Sequence, residues 1–480
     1  MAPATLTFLG AAGTVTGSKF LLTLGDRRVL VDAGMYQGEK RWRTMNWADF
    51  PINPADIDDV VLTHAHMDHC GYLPKLVKDG FAGTVWATEG TAALAEIVLR
   101  DAGYLQERDA EHAEQHGYSK HKPVLPLYTE EDAQRALTHF RQVEYDTDVS
   151  LGGGVVCRWT RAGHILGSAS VRVSTDHTAI LFSGDIGRHD HPVLRPRSTP
   201  QGAPFVVVES TYGDREHPEP ERAHEDFARA IRTTVAHGGQ VLIPAFAVDR
   251  TEVVLQTIGE MQRDGRIPVV PIYVNSPMAL NALRVYRDPA HRDELRPDLD
   301  VEELLGLPNV HETPDADSSR ELMSLDGPAI IISSSGMATG GRVLHHLEEM
   351  LPDPQNTIIL TGYQASGTRG RALEEGAREL KLHGRYIPVN ARIVRDAEFS
   401  VHADSTDLMD WLRDLEPAPE TVFIVHGEED AAAALHERIA QELGWTSAVA
   451  RYGEVVVVEP RHATVHWHRR RVPPGSGQVS

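Results

Sequence analysis

Two cysteines in 480 residues, Cys70 and Cys157, are too few for a disulfide framework or a cysteine-rich zinc module. No stretch approaches the ~18 consecutive apolar residues that a membrane-spanning helix requires. Basic residues are in deficit. Lys and Arg number 47 against 69 Asp and Glu, a formal charge of −22. Such a surface repels polyanions as a whole, which excludes a binder of the basic-tail type but leaves room for a locally positive cleft. The first eighteen residues lack a basic start and carry only a short apolar run, so no secretory signal is expected and a cytoplasmic location is. There is no repeat of fixed period and no low-complexity block. Globular usage remains, 41% hydrophobic and 24% charged. The length suits about two to four domains. Histidine is the exception to this ordinariness: there are 25, and several cluster.

Short, β-branched apolar runs alternate with helix-like stretches, the pattern of a layered α/β fold. Runs at 29–31, 60–62, 180–182, 205–208, 241–243, 329–332, 358–360 and 422–425 read as buried strands. They lead into Asp32, His64, Asp185, Glu209, Pro244, Ser333, Thr361 and His426. Strand exits are where α/β sheets build sites, because the sheet fixes position while the loops vary. Helices are expected at 251–263, with Gly265 as a stop, and at 130–141 and 405–415.

The segment His64-Ala-His66-Met-Asp68-His69 places four metal ligands in six residues directly after a strand. Alternate positions on such a loop project toward one point, so His64 and His66 can share one ion. Asp68 and His69 then fall toward a second. Imidazole and carboxylate suit zinc without any thiolate, and Cys70 reads as a packed small residue. One loop cannot close two sites. Distant ligands are therefore expected, with His164, Asp185 and His426 as candidates and Asp185 able to bridge two cations. Alone, each reads as well as a capping or hydrogen-bonded residue; the loop's unmet coordination favours ligation.

This order of motifs, an HxHxDH segment, a lone His, an Asp after a strand and a late His, resembles the metallo-β-lactamase superfamily. The segments from Glu209 to Gly213 and from Ser400 to Asp404, together with His426, resemble the extra motifs of its β-CASP branch of RNA-processing nucleases. The resemblance implies an α/β fold, an αββα sandwich with an inserted α/β cap. The core would occupy residues 1–200 and 385–470, the cap 201–384, and a flexible tail 471–480. It implies two zinc ions, one held by His64, His66, His164 and Asp185, the other by Asp68, His69, Asp185 and His426. Asp32 would orient histidine ligands. Asp249 departs from the glycine usual at its position, which implies a differently shaped turn.

Two zinc ions roughly 3.5–4 Å apart lower the pKa of a shared water and neutralise phosphoryl charge. Asp68 and Asp185 would serve that chemistry. His402 would give the departing oxygen its proton, held by Glu209. Ser333, Ser334, Ser335 and Gly336 form a turn able to offer hydroxyls and backbone N–H groups to phosphate, flanked by Arg250 and Arg342 as clamps. The reading is a ribonuclease of single-stranded RNA, endonucleolytic, with 5′-to-3′ exonuclease action and a homodimer left open. A small-molecule ester or lactam hydrolase and a catalytically dead RNA-binding scaffold are the alternatives. Surface repulsion is screened beyond about 8 Å at physiological salt, so a positive groove between core and cap is expected despite the net charge.

Overall fold

The structure, a computed structural model, describes residues 3–117, 122–217, 224–300 and 307–459. The expected tail from residue 471, like the arginine run at 469–471, lies outside them. Two seven-stranded sheets stack face to face. The first runs in the order Val455–Val457, Thr5–Phe8, Phe20–Leu24, Arg27–Val31, Asp59–Val61, Thr84–Thr88, Phe140–Val143. The second runs Ser447–Val449, Thr421–Ile424, Phe205–Val208, Ala179–Phe182, Ala169–Ser174, Val155–Arg161, Val149–Gly152. Their inner faces share a core that includes Phe8, Leu22, Val31, Trp159, Phe182, Val207 and Phe423. Outside the first sheet, helix Glu89–Gln115 buries Leu94, Val98 and Leu99 in the cluster of Val60, Leu62 and Val85. Outside the second, helix Ser405–Arg413 buries Leu408, Trp411 and Leu412 against Leu181, Val206 and Ile424. This is the expected αββα sandwich.

A third, fully parallel sheet has the order Val310–Glu312, Ile272–Val274, Ile330–Ser333, Val241–Pro244, Thr357–Thr361, Arg392–Asp396. It forms the inserted cap. Strand Phe205–Val208 still belongs to the second core sheet and Arg392–Asp396 to the third, so the sheets change hands later than residues 201 and 385. All eight apolar runs form strands. The helix expected at 130–141 stops at Leu137, because residues Phe140–Val143 pair instead with strand Thr84–Thr88. An open sheet edge competes successfully with helical continuation there.

In the sandwich, strands Arg27–Val31 and Asp59–Val61 run parallel, as do Ala179–Phe182, Phe205–Val208 and Thr421–Ile424. Their carboxyl ends are therefore aligned within each sheet, and the residues that follow them meet.

The cap is tied to this region by a buried polar chain. Asp249 begins helix Arg250–Arg263 with φ +66°, a conformation glycine adopts freely and aspartate at some cost. Its carboxylate accepts from the Tyr286 hydroxyl at 2.8 Å and faces His191 Nε2 at 3.1 Å. His191 Nδ1 accepts from Val193 and Leu194 N–H, so Nε2 is the nitrogen that carries the proton to Asp249. Tyr286 in turn accepts the N–H of Leu166 at 3.2 Å, in the core loop that carries His164. Asp249→Ala would strand two buried donors while keeping a side chain at positive φ. We expect a loss of about 1–3 kcal/mol of stability in urea denaturation, and a smaller loss for Asp249→Gly, which relieves the backbone. Equal stability of the wild type and the alanine variant would remove the carboxylate from this role.

Candidate metal centre

Asp32 leaves strand Arg27–Val31 at φ +59° and turns its carboxylate toward the next strand's exit. There it accepts the backbone N–H and the hydroxyl of Thr63, both at 2.8 Å. Its Oδ2 also lies 2.8 Å from His69 Nδ1. With that nitrogen held, His69 presents Nε2 to the centre. Asp32 therefore stands where the sequence placed an orienting residue. Neighbouring Thr63 Oγ1 reaches His64 Nδ1 at 3.1 Å, a contact the sequence did not suggest.

His66 caps the short helix Met67–Cys70, which turns Asp68 and His69 back toward His64. The buried Cys70 thiol faces the Ala65 carbonyl at 3.4 Å, and burial pushes its pKa well up, so it behaves as packing. His164 is fixed by Ser168, whose Oγ accepts the N–H groups of His164 and Ile165 at 2.9 and 3.2 Å. Gly187 packs beneath this loop so closely that a Cβ would stand 1.9 Å from the Gly163 oxygen. His426 follows strand Thr421–Ile424 at φ +50°, its N–H bonded to the Ala11 carbonyl at 2.7 Å.

Asp185 is the hub. Its oxygens lie 3.5 Å from His64 Nε2, 3.3 Å from His69 Nε2, 3.7 Å from His164 Nε2 and 3.5 Å from His426 Nδ1. Donor atoms of His64, His66, His164 and Asp185 fall within 4.8 Å of one another. Those of Asp68, His69 and His426 form a second such group, with Asp68 Oδ2 3.4 Å from His426 Nε2. The seven proposed ligands, drawn from four separate segments, thus converge in two adjoining groups. Glu209 makes a further group with Asp185 and His426, which the sequence did not indicate.

The donor chemistry fits divalent cations. His66 Nδ1 faces both His64 Nε2 and His164 Nε2 at 3.2 Å, and Asp185 Oδ1 is buried without a hydrogen bond. Burial lowers the pKa of His64, His66 and His164, so these rings are neutral and carry lone pairs, as ligation requires. On His69 and His426 burial acts the same way, but carboxylates outweigh it and raise the pKa, Asp185 foremost. Burial opposes ionisation of Asp185 too, yet His426, His69 and His64 hold its pKa well below the usual range. The negative charge stays at the hub.

Beside the hub, the His402 ring lies 4.4 Å from that of His164, and His402 Nδ1 is 3.2 Å from Glu209 Oε2. Glu209 is buried and its Oε1 accepts the N–H of Ile186 at 2.5 Å. His402 is the more open of the two, with 17% of its side chain exposed. The two residues meet as the resemblance implied.

The expected phosphate binders are occupied elsewhere. Arg250 is buried and donates to the Thr361 carbonyl. Arg342 donates to Asn275 Oδ1 and to the carbonyls of Thr313 and Pro314. Ser333 donates to the Asn275 carbonyl, Ser334 meets Ser276, and Ser335 meets Thr339. The Gly336 carbonyl accepts from Gln364, and its Cα packs on Phe246, whose ring is 6.3 Å from that of His66. The turn approaches the centre, but its polar groups hold the cap together in this structure.

A sandwich whose sheet ends gather histidines and carboxylates around a shared aspartate is the architecture of a metal-dependent hydrolase. Comparison with known proteins is more particular. The chain matches the metallo-beta-lactamase superfamily over residues 13–207, the Beta-Casp domain over 251–373, and the Zn-dependent metallo-hydrolase RNA specificity domain over 386–450. It is 37% identical to Ribonuclease TTHA0252 of Thermus thermophilus over 94% of this chain and 99% of that protein. It is 33% identical to an RNase J-like protein of Methanocaldococcus jannaschii over 84% of this chain and 87% of the relative. Transcription termination factor FttA of the same archaeon is 31% identical over 88% of this chain and 67% of its own length. The chain belongs to the metallo-β-lactamase superfamily and, within it, to the β-CASP branch.

Proposed function

We propose that this protein is a cytoplasmic ribonuclease that binds two zinc ions and hydrolyses phosphodiester bonds in single-stranded RNA. The observation that carries the reading is the intact set around Asp185 with the His402–Glu209 pair against it. A scaffold with a dead site has no use for seven converging ligands and a carboxylate-held histidine. The ribonuclease relative, similar along nearly its whole length, supports the same substrate class. Among the described residues no helix is long and apolar enough to cross a membrane.

Metal ions held here would polarise a phosphoryl oxygen and lower the pKa of a water. His64, His66, His164 and Asp185 would hold one, and Asp68, His69, Asp185 and His426 the other. The remaining work belongs to the chain. Glu209 Oε2 accepts a hydrogen bond from His402 Nδ1–H, which fixes the ring and leaves Nε2–H to serve as the proton donor. His402 then protonates the departing sugar oxygen as the P–O bond breaks. Asp32 keeps His69 in the tautomer that ligates.

The test is metal analysis combined with cleavage of single-stranded RNA bearing a 5′-phosphate or a 5′-hydroxyl. We expect two zinc ions per chain, cleavage that a chelator abolishes and zinc restores, and internal cuts on both substrates. A zinc-loaded protein that cuts neither RNA would overturn the proposal.

A further inference from the structure

Among the described residues most arginines have a carboxylate partner, yet a few cations at the junction of core and cap do not. Core helix Lys40–Met45 presents Lys40, Arg41 and Arg43 to solvent. Trp42 anchors it by stacking on buried Tyr36, ring centroids 5.6 Å apart and 10° from parallel. Directly across lies the cap segment that leads into Arg369. A Cβ on Gly38 would lie 2.8 Å from the Ser366 oxygen, and one on Gly367 3.1 Å from Glu39 Cα, so the two backbones touch. Glu39, the acid of this stretch, is taken by Arg41 at 2.9 Å. Among the described residues Arg369 donates to the carbonyls of Lys381, Ala338 and Thr339 and has no carboxylate partner. Burial, and then the charge of nearby Arg43, lower the Arg369 pKa, in keeping with the close approach of the two segments that carry them.

Bare like charges held across a seam favour a bound anion. The seam also leads inward. Ala365 packs with Val15, Met337, Phe246 and Tyr363, and the Phe246 ring approaches His66 at 6.3 Å. Tyr363 lies 6.4 Å from Tyr212, which is 6.1 Å from His402. Aromatic side chains lying between the seam and the centre, with cations outside them, suit a single strand, whose bases stack while its phosphates pair. Trp47, 59% exposed just beyond the helix, adds a stacking face outside.

We propose that Lys40, Arg43 and Arg369 form a phosphate-binding rim that holds the backbone of single-stranded RNA several nucleotides from the cleaved bond. This rests on the ribonuclease reading. Because Arg369 also holds backbone carbonyls, the decisive variant is Lys40→Glu with Arg43→Glu, since the Lys40 and Arg43 side chains make no hydrogen bond among the described residues. The full-length zinc-loaded protein is titrated against a fluorescent single-stranded RNA of about twenty nucleotides at several salt concentrations. Losing two phosphate contacts should weaken binding about tenfold and lower the log–log salt slope by about 1.4. Lys40→Arg with Arg43→Lys should bind as the wild type does, and cleavage of a dinucleotide should keep its rate in both variants. Wild-type affinity and slope in the charge-reversed protein would overturn the rim, whatever the cleavage result. Wild-type binding that responds to the variants without any cleavage would keep the rim and sink the ribonuclease reading. A wild-type protein that binds no RNA would sink both.

Discussion

Asp185→Asn is expected to lower RNA cleavage by about a thousandfold or more, roughly 4 kcal/mol of barrier, and to reduce bound metal below two ions per chain. The substitution keeps size and removes charge at the one side chain within 3.7 Å of a nitrogen of His64, His69, His164 and His426. Under the proposed assignment both ions share it, so elemental analysis should register the change as clearly as the assay does. Asp32→Asn should be milder, about 10–100-fold in activity or metal affinity, because it acts through the orientation of His69. Full metal content and activity in Asp185→Asn would mean that the centre has been assigned wrongly.

His402→Ala should behave differently. We expect kcat on RNA to fall about 10²–10⁴-fold with metal content and KM nearly unchanged, since the histidine acts on the departing oxygen. A diester with a good leaving group, such as bis(p-nitrophenyl) phosphate, should lose far less, because nitrophenolate departs without a proton. Glu209→Gln is the suitable partner variant: Oε1 can still accept from Ile186 while the charge facing His402 is lost. It should lower kcat on RNA in the same sense as His402→Ala, and by less. Equal losses on RNA and on the activated diester would show that His402 positions the substrate and is not a proton donor.

How much of this could be read from the chain depended on distance along it and on competition for partners. The 64–69 segment was legible because four ligands stand in six residues after a strand. His164, Asp185 and His426 were legible as strand-exit or glycine-flanked residues once that segment needed ligands. Asp249 could be seen as unusual, but not that its carboxylate would join Tyr286 and His191. The arginines were the poorest guide. A sequence shows where a guanidinium is, but not that the Thr361 carbonyl will engage Arg250, or that Arg342 will serve Asn275. The rim was invisible for the same reason. Arg43 and Arg369 stand far apart in the chain, and only folding reveals that neither has an acid among the described residues. Helix 130–141 failed at its end because tertiary strand pairing outweighed local preference.

The pairing of distant strands has a consequence for synthesis. Phe205–Val208 lies beside Thr421–Ile424, and Thr5–Phe8 is closed by Val455–Val457. His426, the last of the proposed ligands along the chain, therefore joins the others only late in synthesis, and such long-range closure is slow. Until that closure a nascent copy lacks one member of the proposed ligand set.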